Sequence, residues 1–227
     1  MAARQPRQAP QPVILPPATP SELLQHVIAR TTYPTTVVIA WPRDQFLNAL
    51  AQDVRQSARA RRADGDADEA AQHPLLHASL AQTAVSRHIN LVFAPTVAHL
   101  RAYLSTFSQS DIKTPPPPAS TPLEVPPLLL VYGHVELHRH GTQWSAQGLG
   151  FSTAVLVDGA MRNSHRAAIV EPRRTGSTDE LEQLLEQTLP ILTGTVCKDD
   201  GSWAGPVVAL GRLLSSWFEV DAKAQVA

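Results

Sequence analysis

The densest group of side chains that could perform chemistry lies between Gly133 and His140, a segment with three histidines and one glutamate. Imidazole and carboxylate groups bind transition metals and act as acids and bases in catalysis. If the backbone is extended, side chains two residues apart lie on one face. Four side chains would then lie together: His134, Glu136, His138 and His140. One hypothesis is a metal-dependent enzyme. The other is that these residues mark the end of a buried strand, since neighbouring positions alone rarely enclose an ion.

Basic side chains follow two segments that are predicted to be strands. Arg139 and His140 come after the apolar segment LLLVY, and Arg173 and Arg174 come after AAIVEP. The carboxyl ends of parallel strands lie at one edge of a sheet, where α/β proteins bind their ligands. Cationic side chains at that edge are suited to contacts with nucleic-acid phosphates. We therefore predict that these four residues bind nucleic acid, with ordinary solvated side chains as the open alternative.

The remaining sequence disfavours phosphoryl transfer and nucleophilic catalysis. A phosphate-binding loop uses glycines for close backbone approach and a lysine against the phosphates, but the turn after the predicted strand at 35–40 reads WPRDQ. The chain also lacks the Gly-x-Ser-x-Gly motif of hydrolases. Its single cysteine, Cys197, excludes an internal disulfide and a multi-cysteine zinc site. Asp158 and Glu171 are lone carboxylates, for which a solvated or capping role is the commoner one.

The composition indicates one intracellular domain without a strong charge bias. The 227 residues include 20 acidic and 19 basic side chains, so no general attraction to nucleic acid or to membranes is expected. A hydrophobic content of 43% is enough for one sizeable core. No apolar run approaches the roughly 20 residues needed to cross a bilayer, so we expect no membrane partner.

Predicted helices and strands alternate along the chain. Short apolar segments indicate strands at 35–40, 89–93, 128–132 and 167–170. One helix is predicted to begin at residue 20, and a second to follow the turn at 41–43 with Asp44 as its N-cap. Further helices are predicted at 75–85, 96–107, 145–161 and 177–189, with β structure in the remainder. This alternation predicts an α/β domain with a largely parallel sheet.

Proline marks the predicted boundaries of the folded domain. Of the 20 prolines, six lie in residues 1–20 and seven in residues 114–127. We predict a disordered, proline-rich N-terminus at 1–19 and a single domain at 20–220. Within that domain flexible loops are predicted at 61–73 and 108–127, and a tail follows at 221–227.

From Leu128 onward, the order of elements resembles the core of the RecA-type recombinases. The segment LLLVYGH is similar to the Walker B strand of that family, and RAAIVEP is similar to the strand that follows it. The segment from Gly201 to Ala204, with Arg212 downstream, resembles the late Gly-x-x-Trp sequence and arginine-bearing strand of recombinases. The resemblance implies a RecA-like three-layer domain.

The sequence departs from this family at both nucleotide-binding motifs. WPRDQF stands where the family has its Walker A lysine, and Gly133 stands where it has its Walker B aspartate. The resemblance therefore implies a pseudo-ATPase that is not an enzyme and has no cofactor, similar to non-catalytic recombinase paralogues such as Shu-complex subunits. Its implied partners are RecA-like paralogue subunits, a recombinase filament and DNA, in the nucleus. The RecA-like subunits of Elongator, which act in a tRNA-modifying complex, are the alternative.

A sheet that has lost its phosphate chemistry still has packing surfaces for association with similar subunits. Four aromatic residues are candidate anchors at such a contact: Trp41, Trp203, Trp217 and Phe218. Packing inside the core is the alternative for each of them.

Overall fold

A six-stranded parallel sheet forms the centre of the fold. The computed structural model describes residues 10–30, 33–63, 73–76, 79–108, 126–174, 177, 179–193 and 205–221. The strands of the sheet are β1 (Val13–Ile14), β2 (Thr35–Ile39), β3 (Ile89–Phe93), β4 (Leu128–Tyr132), β5 (Arg166–Val170) and β8 (Glu219–Val220). They lie in the order β3-β2-β4-β5-β1-β8, and every neighbouring pair is parallel. A separate antiparallel ribbon consists of β6 (Thr188–Pro190) and β7 (Val207–Ala209).

Helices cover both faces of the sheet. In the described residues they are α1 (Pro20–Arg30), α2 (Arg43–Ala63), α3 (Leu80–Ser86), α4 (Val97–Thr106), α5 (His134–Arg139), α6 (Ala146–Arg162), α7 (Glu180–Glu186) and α8 (Leu210–Leu214). Leu23 from α1 and Phe46 from α2 pack on one face, whereas Leu104 from α4, Leu156 from α6 and Leu214 from α8 pack on the other. The predicted α/β fold with a parallel sheet is therefore confirmed, and it has three layers. Over the same residues, every helix falls short of the length or the apolarity that crossing a bilayer requires.

The two central strands are apolar along their length, and this explains their position. All five residues of β2 and all five of β4 are buried. A continuous apolar segment suits a strand that helices cover on both faces, and the β-branched residues of β2 favour extended backbone. The prediction of two fully covered strands is confirmed.

The folded domain begins earlier in the chain than the sequence predicts. β1 lies within residues 1–19, so the prediction of disorder there is wrong for the described part of that segment. Val13 and Ile14 pair with β5 on one side and with β8 on the other. Pro12 and Pro16 flank this short apolar segment, and proline cannot donate a hydrogen bond to a neighbouring strand. The strand is therefore too short for its pattern to be recognised.

Several other predicted boundaries need correction. Helix α2 begins at Arg43, one residue before its predicted N-cap Asp44, and continues to Ala63, into the loop predicted at 61–73. Residues 64–72 and 109–125 lie outside the described residues. The helix predicted at 75–85 is instead a 3₁₀ turn (Pro74–Leu76) followed by α3, because the Ser79 side chain caps α3 and sets its start. Helix α7 ends at Glu186, before the predicted end at 189.

The segment predicted as β structure near the C-terminus contains helix α8. Leu210 and Leu214 are both buried. Residues four apart share one face in a helix and also in a strand, so this spacing does not distinguish the two conformations. The prediction of continuous β structure is wrong at this point.

The chain leaves neighbouring strands toward opposite faces of the sheet, which opens crevices at its carboxyl edge. After β2 the chain enters α2 on one face, whereas after β4 it enters α6 on the other. The same divergence occurs between β1, which leads to α1, and β5, which leads to α7. Open α/β sheets bind ligands in crevices of this kind.

Candidate functional site

A cavity lies at each of these two crevices. The β2–β4 cavity has a volume of about 730 Å³ and is lined by the segments that follow β2, β3 and β4. The β5–β1 cavity has a volume of about 190 Å³ and is lined by residues after β1, β4 and β5 and by α7. Glu136 lines both cavities. The carboxyl edge is therefore the candidate functional site.

The histidine-rich segment is helical, and this overturns the extended arrangement on which the metal hypothesis depends. Gly133, with a φ of 80°, separates β4 from α5. On a helix, residues four apart share a face. His134 and His138 consequently lie in the core, whereas Glu136 is half-buried and His140 is exposed. The predicted grouping of these four side chains on one face is wrong.

Three of the four ring nitrogens of the two inward-facing histidines make hydrogen bonds inside the core, whereas His134 Nδ1 is buried without a partner among the described residues. His134 Nε2 lies 3.1 Å from Thr153 Oγ1, while His138 Nδ1 lies 2.8 Å from the His134 carbonyl and its Nε2 lies 2.8 Å from Ser152 Oγ. Burial is the main cause that lowers the pKa of both imidazoles, which are therefore neutral at pH 7. Throughout the described ranges, no three potential metal ligands lie close enough to hold an ion.

Glu136 connects the two cavities. Its Oε2 accepts a hydrogen bond from Trp41 Nε1 at 3.0 Å, and its Oε1 accepts one from Arg174 at 2.7 Å. His140 Nε2 lies 3.7 Å from the same Oε1. Glu136 thus joins the segments that follow β2, β4 and β5, and Arg174 balances its negative charge.

Glu171 is a buried carboxylate at the end of β5. Its two oxygens accept hydrogen bonds from the backbone N–H groups of Val135 and Glu136, at 2.7 and 3.1 Å. Burial raises the pKa of Glu171 to about 7, although these two hydrogen bonds act in the opposite direction. The sequence suggests a solvated or capping role for this residue. It caps the first turn of α5, but from a position that is 5% exposed.

Arg173, one of the four predicted nucleic-acid contacts, makes hydrogen bonds within the protein. Its Nε and Nη2 donate to the Pro17 carbonyl at 3.2 and 3.1 Å, and its Nη1 donates to the Glu22 carboxylate. These contacts join the end of β5 to the loop between β1 and α1. Arg173 therefore holds that loop in place and has few donors left for a ligand.

The other three predicted nucleic-acid contacts also lie at the carboxyl edge. Arg139 donates to the side chain of Gln187 and lies 5.5 Å from the ring centre of Trp144. The side chains of Arg174 and His140 are 50% and 69% exposed. Arg139 and Arg174 line the β5–β1 cavity, and His140 lines the β2–β4 cavity.

The four candidate aromatic anchors have different positions. Trp41 is half-buried and lines the β2–β4 cavity, whereas Trp217 is 38% exposed. Phe218 is buried in the core, which is the alternative that the sequence left open for it. Its apolar ring packs inside because the chain turns inward after α8 to form the last strand of the sheet. Trp203 and the segment from Gly201 to Ala204 lie outside the described residues.

The loop between β1 and α1 has no backbone N–H group available for a phosphate. Nucleotide-binding folds place phosphates at loops of this kind, between a strand and the start of a helix. The sequence comparison assigned the Walker A position to WPRDQF after β2, but β1 and α1 form an earlier strand–loop–helix unit of the same sheet, so the loop at 15–22 is a second position to consider. Three of the eight residues at 15–22 are prolines, and the other five amides all donate within the protein. The acceptors are the Ile169 carbonyl for Leu15, the Glu171 carbonyl for Ala18, Glu22 Oε2 for Thr19, Asp53 Oδ2 for Ser21 and Thr19 Oγ1 for Glu22.

Arg101 lines the β2–β4 cavity and is a site residue that the sequence did not indicate. It lies in α4 beside the buried residue Leu100. Its Nε donates to Ser152 Oγ at 2.8 Å and its Nη2 donates to the Gly148 carbonyl at 2.7 Å. The only sequence signal is a lone cation in a partly apolar helix, which is equally typical of a solvated arginine.

Comparison of the chain with known proteins does not assign a function to this site. No family model matches the chain, and no curated protein matches it either. The arrangement at the carboxyl edge is therefore the basis on which a function is assigned.

Proposed function

We propose that this protein is a non-catalytic RecA-like subunit of a homologous-recombination or DNA-repair assembly in the nucleus. It contributes contacts with RecA-like paralogue subunits, with a recombinase filament and with DNA, and it does not hydrolyse ATP. The observation that carries this proposal is the loop between β1 and α1, which lies in a parallel sheet of the kind that nucleotide-binding proteins use. We call it the closed loop, because all its backbone N–H groups donate within the protein.

The closed loop supports the absence of ATP hydrolysis. A phosphate loop binds its ligand through free backbone amides and the positive end of a helix dipole. Here Glu22 accepts a hydrogen bond from the amide of Thr19, which precedes α1, and Asp53 accepts one from the amide of Ser21, so carboxylates already occupy that end of the helix. Arg173, the cation at this loop, is bound to Glu22 and Pro17. A triphosphate would have to displace these groups and would face repulsion from the carboxylates.

The carboxyl edge supports contact with DNA. Arg139, His140 and Arg174 lie together there on the segments that follow β4 and β5. Their side chains reach solvent in part, and guanidinium and imidazole groups suit phosphate oxygens. Arg174 is bound to Glu136, so DNA binding would exchange one anionic partner for another.

We expect the purified protein to show no saturable hydrolysis of ATP in the presence of Mg²⁺. The reason is that the loop at 15–22 offers neither a lysine nor a free amide to the phosphates. A steady-state assay of phosphate release, over ATP concentrations up to the millimolar range, tests this. The proposal is wrong if turnover saturates and is changed by replacing Thr19 with alanine, since a contaminating ATPase would not respond to that substitution.

Replacement of Arg174 by glutamine is expected to weaken binding to DNA and to lower the slope of log K against log salt concentration by about 1. Arg162 is the matched control, because it has a similar exposure and is also bound to a carboxylate, that of Asp158 at 2.9 Å. Arg162 lies at the C-terminal end of α6, at the opposite edge of the sheet. Fluorescence anisotropy at several salt concentrations compares R174Q with R162Q. Equal slopes for the two variants would mean that the carboxyl edge does not contact DNA.

The partners can be identified by affinity capture from native extract followed by mass spectrometry. RecA-like subunits and DNA-repair proteins are expected. Capture of tRNA-modifying proteins, together with tighter binding of tRNA than of DNA, would instead support the Elongator-like alternative.

A further inference from the structure

The β2–β4 cavity has the size and position of a small-molecule site. Its volume of about 730 Å³ lies within the roughly 300 to 1,000 Å³ that is typical of ligand pockets. It opens at a crevice between strands whose following helices lie on opposite faces of the sheet. Polar side chains from three separate segments line it, including Gln45, Arg101 and Gln143.

Arg101 places a positive charge in this cavity that no carboxylate balances. Within the described residues, no carboxylate oxygen lies within 4.0 Å of its guanidinium group. Glu136 also lines the cavity, but it is already bound to Arg174. The charge that remains unbalanced in the cavity is therefore positive, which favours an anionic ligand.

The hydrogen bonds of Arg101 leave one end of its planar group available. Nε and Nη2 donate to Ser152 and to the Gly148 carbonyl, and Nη2 also lies 3.4 Å from Gln143 Oε1. The ring of Phe151 lies 4.9 Å from the guanidinium carbon. Nη1 has no hydrogen-bond acceptor among the described residues, so its two N–H groups are free to donate to a ligand.

Ser152 and His138 fix the orientation of Arg101. The His134 carbonyl can only accept a hydrogen bond, so the proton of His138 is on Nδ1 and its Nε2 is an acceptor. Ser152 then donates its one hydroxyl proton to His138 Nε2 at 2.8 Å, in preference to the more distant Gly148 carbonyl at 3.3 Å, and accepts from Arg101 Nε. Because Ser152 and His138 are both fully buried, this chain holds the guanidinium group rigidly at the cavity wall.

Trp41 supplies an aromatic wall to the same cavity. Its Nε1 donates to Glu136, and its ring makes edge contacts with Tyr132 and Phe46, at centroid distances of 5.4 and 6.5 Å. The ring is therefore held in one orientation before any ligand arrives. Aromatic rings of ligands gain binding energy by packing against such side chains.

We infer that the β2–β4 cavity binds a phosphorylated small molecule that carries a planar ring, of which a nucleoside monophosphate is the simplest example. Its phosphate is recognised by Arg101, its ring packs against Trp41, and the amide groups of Gln45 and Gln143 are available to its polar edges. This site is separate from the loop between β1 and α1, and it does not depend on the proposed function, since it requires neither DNA nor a partner subunit.

The test is isothermal titration calorimetry of the full chain with thymidine monophosphate, thymidine, inorganic phosphate and a single-stranded oligothymidylate. We expect saturable binding of thymidine monophosphate and at least about tenfold weaker binding of thymidine and of phosphate, because each lacks one of the two contacts. Replacing Arg101 by glutamine is expected to weaken binding of the monophosphate by about tenfold to a hundredfold, which is the usual effect of losing a hydrogen bond to a charged group. Arg87→Gln is the control, because Arg87 caps the C-terminal end of α3, just before β3 begins, at the other edge of the sheet.

A second variant keeps the test valid if loss of the Arg101 contacts unfolds the protein. Gln45 is exposed on α2 and lines the cavity, so Gln45→Glu adds a negative charge there without disturbing the core. It is expected to weaken binding of the monophosphate by at least about fivefold, through repulsion at short range, and to weaken binding of the uncharged thymidine by a smaller factor. The inference is overturned if no monophosphate binding is detected, if neither R101Q nor Q45E weakens it, or if only the oligonucleotide binds. The ATP assay is independent of each of these results, so failure here leaves the proposed function untouched.

Discussion

Replacement of Gly148 by alanine is expected to lower the free energy of unfolding by about 3 kcal/mol, which is the upper part of the usual range for overpacking. A Cβ atom at this position would lie 2.4 Å from the Gln143 carbonyl oxygen and 3.1 Å from Ser145 Oγ. The clash is with backbone, so it cannot be relieved by rotating a side chain. The turn at Gln143 must move instead, and with it the Ser145 cap of α6, which accepts a hydrogen bond from the Gly148 amide at 3.0 Å. Urea denaturation of the purified variant measures the change.

Gly150 provides the matched control in the same helix. A Cβ atom there would lie 3.7 Å from Leu213 Cδ1, which is an ordinary contact. Alanine is favoured over glycine inside a helix by about 1 kcal/mol, so G150A is expected to be as stable as the native protein or slightly more stable. If G148A were as stable as G150A, the turn at Gln143 would be free to adjust and the close packing proposed for Gly148 would be wrong.

The second large effect concerns the ionisation of Glu171. The pKa of this buried carboxyl is raised from 4.5 to about 7 in the folded protein. Between these two pH values the unfolded chain loses the proton while the folded protein keeps it, so stability falls as the pH rises and is constant above about pH 7. The loss amounts to roughly 3 kcal/mol at the free-energy equivalent of one pKa unit. Glu171→Gln cannot ionise, so the stability of the native protein minus that of E171Q is expected to decrease by this amount from pH 4.5 to 7.

The difference in stability between the two proteins separates the contribution of Glu171 from that of the buried histidines. Burial lowers the pKa of His134 and His138, so their contribution to stability is lost as the pH falls below about 6.5, in the opposite direction. This contribution is present in both proteins and cancels in the difference. An amide at position 171 also loses one of the two accepted hydrogen bonds, which adds an offset that does not vary with pH.

Urea denaturation at several pH values between 4.5 and 8 supplies the measurement. Glu182 is the control, because it is an exposed carboxylate in the first turn of α7. E182Q is expected to show no comparable change with pH over this interval. A difference between native protein and E171Q that stays constant across it would mean that Glu171 ionises in the folded protein as it does in the unfolded chain.

Local sequence patterns were sufficient to predict the central strands and to place the basic residues at the carboxyl edge of the sheet. β2 and β4 are recognisable because five consecutive apolar or β-branched residues have few alternatives to a covered strand. Parallel strands end at the same edge, so residues that follow them must lie there. The contacts that these residues then make could not be predicted. Arg173 is 151 positions away from its partner Glu22 in the chain.

Short segments were interpreted less well, because two backbone conformations fit the same few residues. The polar residues from His134 to His140 alternate as in a strand, but their spacing by four also fits one face of a helix. The left-handed conformation of Gly133 turns the chain into α5, and Glu171 stabilises the first amides of that helix from the end of β5. β1 has only two residues, and its place in the sheet depends on pairing with β5 and β8.

The order of residues along the chain determined by itself that this protein is an α/β domain with a parallel sheet and without the lysine of a phosphate loop, because periodicity and residue type are local properties. Which charged side chains can still bind a ligand depends on the tertiary structure. Arg173 and Arg174 form ion pairs with carboxylates, and the amides of the loop between β1 and α1 donate within the protein, whereas Arg101 has no ionic partner among the described residues. The physical reason is that the effect of a charge depends on which groups lie within a few ångströms of it, and these groups come from distant parts of the chain.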